Sequence, residues 1–388
     1  MKITQVEARW LRCEIPESGQ HISDFGRLTT FDTALVRIDT DEGISGYGEA
    51  KIAVGSAGHY AAVVTTINTE LRELLIGEDP RSPVRLWEKM YSGSRAHYAL
   101  QHGRVFPEVG RRGVRVSAIS GVDLALWDIA GRALDVPTYR LLGGKCRDQI
   151  SAYASGGWAD ANGIGAQLLS TISSSGYSAV KMRVGAMDGT VENSIARVKA
   201  AREAIGPDVK LMVDAHGTLD VRMARRFARG VEDCHLAWFE EPVSVDDVVG
   251  TAEVRASCDI PIAAGESFYT RFDFQPFIAA RAIDIMQPDP AIAGGISEVM
   301  RIANLGSAHH LTLAPHLWGG AILFAAGMQL AAALPNCVTL EYSKGFNPLL
   351  RELVAEPVEV INGQVQIPDR PGLGVTINED FVAKHTKE

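Results

Sequence analysis

The chain has 388 residues, too many for one small domain, and its 46% hydrophobic and 22% charged residues are typical of a soluble globular protein. Its net charge of −9 argues against a nucleic-acid partner, and it has no run of about 18 apolar residues that would suggest a membrane partner. The N-terminus lacks the apolar core of a signal peptide and the five cysteines are scattered, so we expect reduced thiols and a cytoplasmic location.

The first third of the chain predicts a mixed α+β unit. Residues 33–39 and 44–50 have the pattern of β-strands on either side of a turn signal at 40–43. Residues 58–92 favour helix with one interruption, and 115–133 predicts a long amphipathic helix. We expect this unit to be antiparallel sheet with helices beside it.

A polar loop that contains glycine occupies residues 16–30 and includes His21, Asp24 and Arg27. Two interpretations stay open. It is either a surface loop or a lid over a pocket, because long loops without secondary structure of their own are often functional. If it is a lid, His21 and Arg27 are candidates for binding a substrate.

From residue 151 onward, short apolar segments alternate with helical ones. Parallel strands need crossovers, which are usually helical, so this alternation predicts an α/β fold of the (β/α) barrel type. The predicted strand segments are 151–154, 179–184, 209–216, 237–242, 261–266, 283–289, 311–316 and 338–341.

Five of these segments end in a residue that can bind a metal or a proton. Asp214, Glu240 and Glu266 follow one another at intervals of 26 residues, and Asp289 and His316 follow at intervals of 23 and 27. The C-terminal ends of barrel strands meet, so these side chains should converge. Three converging carboxylates repel one another unless a cation joins them, and oxygen ligands suit Mg²⁺ before Mn²⁺. We therefore predict a magnesium site.

Alternation along the strands places further polar side chains at the same mouth. Lys181 and Arg183 share the face of their segment that should point into the barrel. His216 follows the first predicted metal ligand by two residues and lies on its face. Asp289 and His316 end neighbouring strands, and a carboxylate beside an imidazole fixes its tautomer and raises its basicity. His316 is therefore a candidate catalytic base.

The C-terminal tail changes character. Residues 358–361 and 364–367 flank Asn362 and Gly363, which is a strong signal for a hairpin with a type I′ turn. We expect this tail to return to the N-terminal unit. The predicted divisions are a capping domain, a barrel domain and a tail, at residues 1–130, 131–345 and 346–388.

Together these motifs resemble the enolase superfamily, and its mandelate racemase subgroup in particular, over nearly the whole chain. The matching motifs are Lys181-Met182-Arg183, Val213-Asp214-Ala215-His216, Glu240-Glu241-Pro242, Gly265-Glu266, Gln287-Pro288-Asp289 with His316, and Glu341 on the last strand. The resemblance implies a modified (β/α)7β TIM-type barrel with an α+β capping domain built from the N-terminus and the C-terminal tail. It also implies a Mg²⁺ or Mn²⁺ cofactor, removal of the proton α to a carboxylate through an enediolate, and a homo-oligomer.

Two positions depart from the usual pattern of the subgroup. Arg183 stands where the family has a second lysine that acts as a base. Arginine is not deprotonated in proteins, so Arg183 should instead clamp or neutralise the substrate carboxylate. His216 stands where an asparagine or another residue often follows the first metal ligand. It resembles the histidine of the galactonate and mannonate type of sugar-acid dehydratase, in which this residue protonates a departing hydroxyl.

These departures favour dehydration, because a racemase needs a proton acceptor on each face of the α-carbon whereas a dehydratase needs one base and one acid. We predict that His316, held by Asp289, removes the C2 proton of an aldonate or aldarate. Lys181 and Arg183 stabilise the enediolate together with Mg²⁺. His216 protonates the β-hydroxyl as it leaves, and the product is a 2-keto-3-deoxy acid.

Glu341 should hydrogen-bond the substrate carboxylate or enediolate, and by analogy with the family it would then carry a proton or share a short hydrogen bond. His21, Arg27 and Trp318 are further candidates for contact with the sugar acid. Two alternatives remain. One is racemisation, epimerisation or sugar-lactone cycloisomerisation through the same enediolate, and the other is a non-catalytic binding protein on the same fold.

Overall fold

The computed structural model describes residues 1–24, 26–52, 57–103 and 112–387, and its N-terminal part is a mixed α+β unit. The described strands of this part are β1 Ile3–Glu14, β2 Ile22–Ser23, β3 Gly26–Arg27, β4 Thr30–Thr40 and β5 Ser45–Ala50. Strands β1, β4 and β5 form an antiparallel sheet in that order, and β2 and β3 form a separate hairpin. The described helices are α1 Ala61–Thr66, α2 Arg72–Leu75, α3 Pro83–Ser92, α4 Ala96–His102, α5 Val114–Ala133 and α6 Thr138–Leu141.

Helix α5, which the sequence predicts at 115–133, packs across the antiparallel sheet. Its side chains Ile119 and Val122 are fully buried with Val36 of β4. A Cβ atom added at Gly48 of β5 would lie 1.8 Å from the backbone oxygen of Gly121 in α5. Only glycine allows so close an approach of strand and helix, so this pair sets how α5 lies on the sheet.

A barrel of parallel strands follows, with a helix after each strand except the last. Its elements are β6 Gln149–Ser155, α7 Ile164–Ser175, β7 Ala179–Arg183, α8 Val191–Ile205, β8 Lys210–Asp214, α9 Val221–Gly230, β9 Trp238–Glu240, α10 Val248–Ala256, β10 Ile262–Ala264, α11 Thr270–Ala279, β11 Ile285–Met286, α12 Gly295–Ser307, β12 Thr312–Leu313, α13 Ala321–Ala333 and β13 Leu340–Ser343. The eight strands run in the order β12-β11-β10-β9-β8-β7-β6-β13. The predicted fold class is confirmed.

The ring closes through backbone hydrogen bonds between β12 and the segment before β13. The amide of Leu313 donates to the oxygen of Asn336 at 2.8 Å, and the amide of Val338 donates to the oxygen of Leu313 at 2.9 Å. All seven strand pairings inside the ring are parallel. Parallel strands place their C-terminal ends on one face, and the site lies there.

Alternation of side chains separates the inside of the barrel from the layer beneath the helices, as predicted. Met212 and Ala314 lie in an interior cluster, whereas Leu211, Val213 and Leu313 belong to the large core between sheet and helices. The interior cluster consists of Tyr153, Met212, Trp238, Ala263, Ile285 and Ala314. This apolar floor supports the polar mouth above it.

The capping unit is attached to the barrel mainly through α5 and α12. The indole nitrogen of Trp127 donates to the hydroxyl of Ser297 at 2.9 Å, and the amide of Gly294 donates to the hydroxyl of Ser120 at 2.8 Å. All four residues are buried. The contact fixes the capping unit over the C-terminal ends of the barrel strands.

The C-terminal tail contains α14 Pro348–Arg351, β14 Gln364–Gln366 and α15 Glu379–His385. Asn362 and Gly363 take φ angles of 50° and 70°, as a type I′ turn requires, but residues 358–360 form no strand. Instead β14 pairs antiparallel with residues 149–151 of β6, which lie before the pairings of β6 with its two barrel neighbours. This first part of β6, and not residues 358–361, is thus the main partner of β14. Helix α15 then packs against β1 of the N-terminal unit.

No helix among the described residues is long and apolar enough to span a lipid bilayer. The five cysteines, all within the described ranges, are free thiols.

Candidate active site

The predicted polar residues meet at the C-terminal ends of the barrel strands. Arg183, Asp214 and Glu240 lie directly opposite one another on β7, β8 and β9, because the strand register pairs Arg183 with Asp214 and Asp214 with Glu240. Glu266, Asp289 and His316 lie in the loops just after β10, β11 and β12, and Lys181 and Glu341 lie on β7 and β13. The equal sequence intervals thus place these side chains around one ring.

Lys181 lies among three carboxylates. Its Nζ is 2.5 Å from Oε1 of Glu240, 3.1 Å from Oε1 of Glu341 and 3.6 Å from Oδ2 of Asp214. Burial opposes a charge on this amine, but the carboxylates, Glu240 and Glu341 above all, outweigh it and raise the pKa of Lys181 well above its usual range. Lys181 is therefore a fixed cation in this structure.

Arg183 lies against Asp214. Its Nη1 is 2.9 Å from Oδ2 of Asp214, and its Nε is 3.7 Å from Oδ1 of Asp24. Burial opposes the ionisation of Asp214, but the nearby cations, Arg183 first, outweigh it and lower the pKa of this carboxyl. The predicted contact of Arg183 with a substrate carboxylate therefore stays a prediction, since its partner in this structure is an acid of the site.

Three further glutamates share the buried mouth. Burial and then Asp214 raise the pKa of Glu240 to about 7, and burial, Asp214 and Glu240 raise the pKa of Glu241 to about 8. Burial and then Glu241 raise the pKa of Glu266 well above its usual range. The carboxylates therefore repel one another, as expected where acidic side chains are placed to bind a cation.

Glu266 fits a metal site best. Its side chain is 2% exposed, and both of its carboxylate oxygens are buried with no hydrogen-bond partner among the described residues. A buried carboxylate without a partner is costly, and an oxygen-binding cation would satisfy it. Among the described residues, ligand atoms of Asp214, His216 and Glu266 lie within 4.8 Å of one another.

The set of ligands that the structure clusters differs in one residue from the predicted set. The predicted set is Asp214, Glu240 and Glu266, and the clustered set has His216 in place of Glu240. Glu240 accepts hydrogen bonds from Lys181 and from the indole nitrogen of Trp238 at 2.9 Å. Mg²⁺ prefers oxygen to imidazole nitrogen, so the donor chemistry favours the all-oxygen set for this ion.

His316 and Asp289 form the predicted pair. Nδ1 of His316 is 2.8 Å from Oδ2 of Asp289, and the same oxygen is 2.9 Å from Nζ of Lys51. Burial and then Lys51 lower the pKa of His316, whereas the sequence led us to expect greater basicity from Asp289 alone. Because Asp289 accepts at Nδ1, the Nε2 atom of His316 faces the mouth, 3.6 Å from Oε2 of Glu266.

His216 has a carboxylate partner of its own. Its Nδ1 is 2.5 Å from Oδ2 of Asp24, and its backbone amide donates to Oδ1 of Asp214 at 3.0 Å. Its Nε2 lies 3.6 Å from Oδ2 of Asp214 and 3.6 Å from Oε1 of Glu266. The Glu266 carboxylate thus lies between the two imidazoles.

Glu341 contacts a backbone amide and Lys181, and the proton or short hydrogen bond expected of it beside a substrate stays a prediction. Its Oε2 accepts the backbone amide of Leu317 at 3.0 Å, and its Oε1 faces Lys181. Burial opposes its ionisation, but Lys181 first and then His316 outweigh it and lower the pKa of Glu341 to about 2. In this structure Glu341 is a carboxylate.

The predicted substrate contacts are only partly at the mouth. The ring of His21 stacks on Trp158 with centroids 3.9 Å apart, and Trp158 meets Trp318 edge to face at 5.9 Å. Both tryptophans line the cavity at the mouth. Burial and then Arg183 lower the pKa of His21 to about 4, so this ring is neutral at pH 7. Arg27 is exposed on β3.

Asp24, Lys51 and Glu241 are residues of the site whose contacts with other site residues the sequence did not predict. Asp24 lies in the loop that the sequence marked as a lid or surface loop, and Lys51 directly follows a predicted strand. Glu241 belongs to the Glu240-Glu241-Pro242 motif. A charged residue in a polar loop or just after a predicted strand is a signal for a possible site residue. The residues that these side chains contact could not be identified, because they are distant in the sequence.

Comparisons with known proteins agree with this architecture. Residues 14–143 match the family model described as mandelate racemase / muconate lactonizing enzyme, N-terminal domain, and residues 164–381 match the model described as enolase C-terminal domain-like. D-galactarolactone cycloisomerase of Agrobacterium fabrum is 35% identical over an alignment of 396 positions, which covers 99% of this chain and 98% of that protein. Arabinonate dehydratase of Saccharolobus solfataricus is 36% identical over 351 residues, which cover 90% of this chain and 89% of that protein.

A solved structure of a racemase from Streptomyces coelicolor with bound magnesium is 30% identical to this chain. It superposes with a TM-score of 0.86, and the match covers 99% of this chain and 100% of that one. Family models for both domains, near-complete coverage of the relatives and the shared barrel all agree. The chain therefore belongs to the enolase superfamily.

Proposed function

We propose that this protein is a Mg²⁺-dependent acid-sugar dehydratase that converts an aldonate or aldarate to a 2-keto-3-deoxy acid. The observation that carries the proposal is the pair of imidazoles on either side of Glu266. Nε2 of His216 and Nε2 of His316 each lie 3.6 Å from one oxygen of this carboxylate. Each ring is held at Nδ1 by its own aspartate. One base and one acid are what β-elimination of a hydroxyl needs.

The metal site that we propose consists of Asp214, Glu240 and Glu266. The unpartnered oxygens of Glu266 and the repulsion among the buried carboxylates support it. Bound Mg²⁺ would add positive charge beside the substrate carboxylate, where negative charge develops. Mn²⁺ takes similar oxygen ligands and is expected to substitute for it.

His316 is the proposed base. Its lowered pKa leaves the ring unprotonated at neutral pH, and the carboxylate of Asp289 keeps the remaining proton on Nδ1. Nε2 therefore offers its lone pair to the C2 proton of the substrate. The electron pair released by that C–H bond moves into the carboxylate to give an enediolate.

Lys181 and Arg183 supply fixed positive charge at the same mouth. Both groups are buried among carboxylates that raise their pKa values, so neither is available as a base. Their charge would stabilise the enediolate. Glu341 is ionised here and fixes the position of Lys181, so it orients that cation.

His216 is the proposed acid. When the enediolate collapses, its electron pair forms the C2–C3 double bond and the C3–O bond breaks. The proton on Nε2 of His216 goes to the departing oxygen, which leaves as water. The resulting enol then tautomerises to the 2-keto-3-deoxy acid.

The first experiment is a screen of mono- and diacid sugars with purified protein and Mg²⁺, with semicarbazide detection of 2-keto acids. We expect keto acid from at least one substrate and its loss with EDTA. A full set of sugar acids without keto acid would contradict the proposal.

Two variants assign the roles of the histidines. His316→Asn should abolish exchange of the C2 proton in D₂O together with dehydration, because both need the base. His216→Asn should retain C2 exchange but lose dehydration by roughly 100-fold or more, as expected for removal of a general acid. Normal exchange in His316→Asn, or normal dehydration in His216→Asn, would show that the roles are wrong.

A second candidate is the opening of a sugar lactone by the same proton abstraction. It is favoured by the similarity to the Agrobacterium fabrum cycloisomerase over 99% of this chain. A lactone loses a carboxylate rather than hydroxide, and a carboxylate leaves without prior protonation. Normal turnover of sugar lactones by His216→Asn would therefore indicate cycloisomerisation, whereas a large loss on open-chain acids indicates dehydration.

A further inference from the structure

A second aspartate–histidine pair crosses from the capping unit to the barrel. Oδ2 of Asp24, from the hairpin of β2 and β3, is 2.5 Å from Nδ1 of His216 at the end of β8. The side chains are 5% and 8% exposed, although the two residues are 192 positions apart in the chain. This pair parallels that of Asp289 and His316, but it is built from two different structural units.

The position of Asp24 is itself held by charge. Burial opposes its ionisation, but the hydrogen bond from His216 and the charges of His216 and Arg183 outweigh it and lower the pKa of Asp24. Its other oxygen, Oδ1, is buried, has no hydrogen-bond partner within the part of the chain that the structure describes, and faces Nε of Arg183 at 3.7 Å. A carboxylate can only accept, so the Nδ1 atom of His216 is the donor in this pair.

The backbone of His216 is constrained as well. Its φ angle is 46°, in the left-handed region that residues with a Cβ atom rarely adopt, and its amide donates to Oδ1 of Asp214. With the backbone held by Asp214 and Nδ1 held by Asp24, Nε2 is directed at the mouth. It lies 3.6 Å from both Asp214 and Glu266.

We propose that Asp24 is a positioning residue for the acid of the reaction. It keeps one proton on Nδ1 of His216 and aims Nε2 at the departing hydroxyl. The inference rests on the proposed dehydration. Before that step Nε2 takes a second proton from solvent water. In the step the C–O electron pair goes to oxygen, the Nε2 proton completes the water molecule, and His216 is left as the Nδ1–H imidazole that Asp24 stabilises.

The plain alternative is that Asp24 only ties the hairpin to the barrel. A purely structural contact would affect the folding of the protein and the binding of the substrate. Its loss would therefore weaken proton abstraction and dehydration together. A positioning residue acts on one step. The two roles are therefore separable by comparing C2 exchange with formation of keto acid.

The kinetic test uses Asp24→Asn, with Glu17→Gln as the control because Glu17 is an exposed acid of the same loop. We expect Asp24→Asn to lose dehydration by about 10-fold or more while it retains C2 exchange, and Glu17→Gln to match the wild type. Adding Asp24→Asn to His216→Asn should cause no further loss, since both changes remove one function. An equal loss of exchange and dehydration, or an additive double variant, would overturn the proposal.

A spectroscopic test needs no substrate. The ten histidines are labelled with ¹⁵N in their rings, and the His216 signals are identified by their absence in His216→Asn. Without added metal, the wild type should show the proton on Nδ1 of His216, and Asp24→Asn should shift it towards Nε2. If no sugar acid gives keto acid, the proposed function fails. Unchanged His216 ring signals in Asp24→Asn would overturn the role of Asp24.

Discussion

The buried ammonium group of Lys51 contacts the pair of Asp289 and His316 from the capping unit. Its Nζ lies 2.9 Å from Oδ2 of Asp289 and 2.8 Å from the backbone oxygen of Trp318. Oδ2 of Asp289 is also the atom that accepts Nδ1 of His316. Lys51 therefore balances the charge of Asp289 and restrains the carboxylate oxygen that accepts Nδ1 of His316.

We predict that Lys51→Met lowers the rate of C2 exchange and the rate of dehydration by the same factor, about 10–100-fold, because it misorients the base used in the first step. Rates of both reactions, measured at saturating substrate, check this. Lys89→Met is the control, since Lys89 is a partly exposed lysine of the capping unit that pairs with Glu78. A loss of dehydration with normal exchange would contradict the role given to Lys51.

Residues at the ends of successive strands could be predicted from the sequence. Asp214, Glu240 and Glu266 recur at equal intervals because each interval spans one strand and one helix, and the barrel repeats that unit. Lys51 and Asp24 could not be assigned partners in the same way. Their contacts span 238 and 192 residues, between units that no local periodicity relates.

At the level of elements, α5 and α12 meet through a buried acid. Asp123 of α5 accepts the backbone amide of Ser297 at 2.9 Å and its hydroxyl at 2.6 Å. Burial raises the pKa of Asp123 to about 7, although the hydrogen bonds from Ser297 act against it. The folded protein therefore binds this proton more tightly than the unfolded chain does.

The sign of the pH effect follows from that shift. The stability linked to Asp123 is fully present below about pH 4 and is lost as the pH rises towards 7, by about 1.4 kcal/mol for each pH unit. We predict that the free energy of unfolding of the wild type, relative to Asp123→Asn, falls between pH 4.5 and pH 8. Urea unfolding of both proteins in EDTA across this pH range measures the difference. Asp135→Asn, at an exposed position just after the same helix, should show no such trend, and a constant difference for Asp123→Asn would refute the prediction.

The elements themselves were partly predictable. The strands of the barrel have strong apolar alternation, so their places follow from the sequence even where β11 and β12 have only two residues each. The hairpin at 358–367 has equally strong local signals, yet only its turn and its second strand, β14, form as predicted. The free end of β6 pairs with β14, and a tertiary partner of this kind is not visible in a local pattern.

At the scale of the whole molecule, two units converge on one cluster of charge. The barrel brings six buried carboxylates to the mouth: Asp214, Glu240, Glu241, Glu266, Asp289 and Glu341. Lys181 and Arg183 offset part of that charge, and the capping unit contributes Asp24 on one side and Lys51 on the other. The carboxylates at the mouth therefore repel one another in the folded protein, and a divalent cation bound there would reduce this repulsion.

We predict that this repulsion is visible in the free energy of unfolding, which bound Mg²⁺ and a substitution of Glu266 should both change. Mg²⁺ at 100 times its Kd should raise the free energy of unfolding by about 2.7 kcal/mol, and EDTA should reverse the gain. Glu266→Gln should stabilise the metal-free protein, because burial and Glu241 raise the pKa of Glu266 and so make its ionisation costly in the folded state, and it should abolish the response to Mg²⁺. Thermal unfolding with and without Mg²⁺ measures both effects, with Glu253→Gln on the exposed side of α10 as the control. A Glu266→Gln protein that is less stable without metal would show that Glu266 does not destabilise the metal-free protein. One that still responds to Mg²⁺ would show that Glu266 is not a ligand.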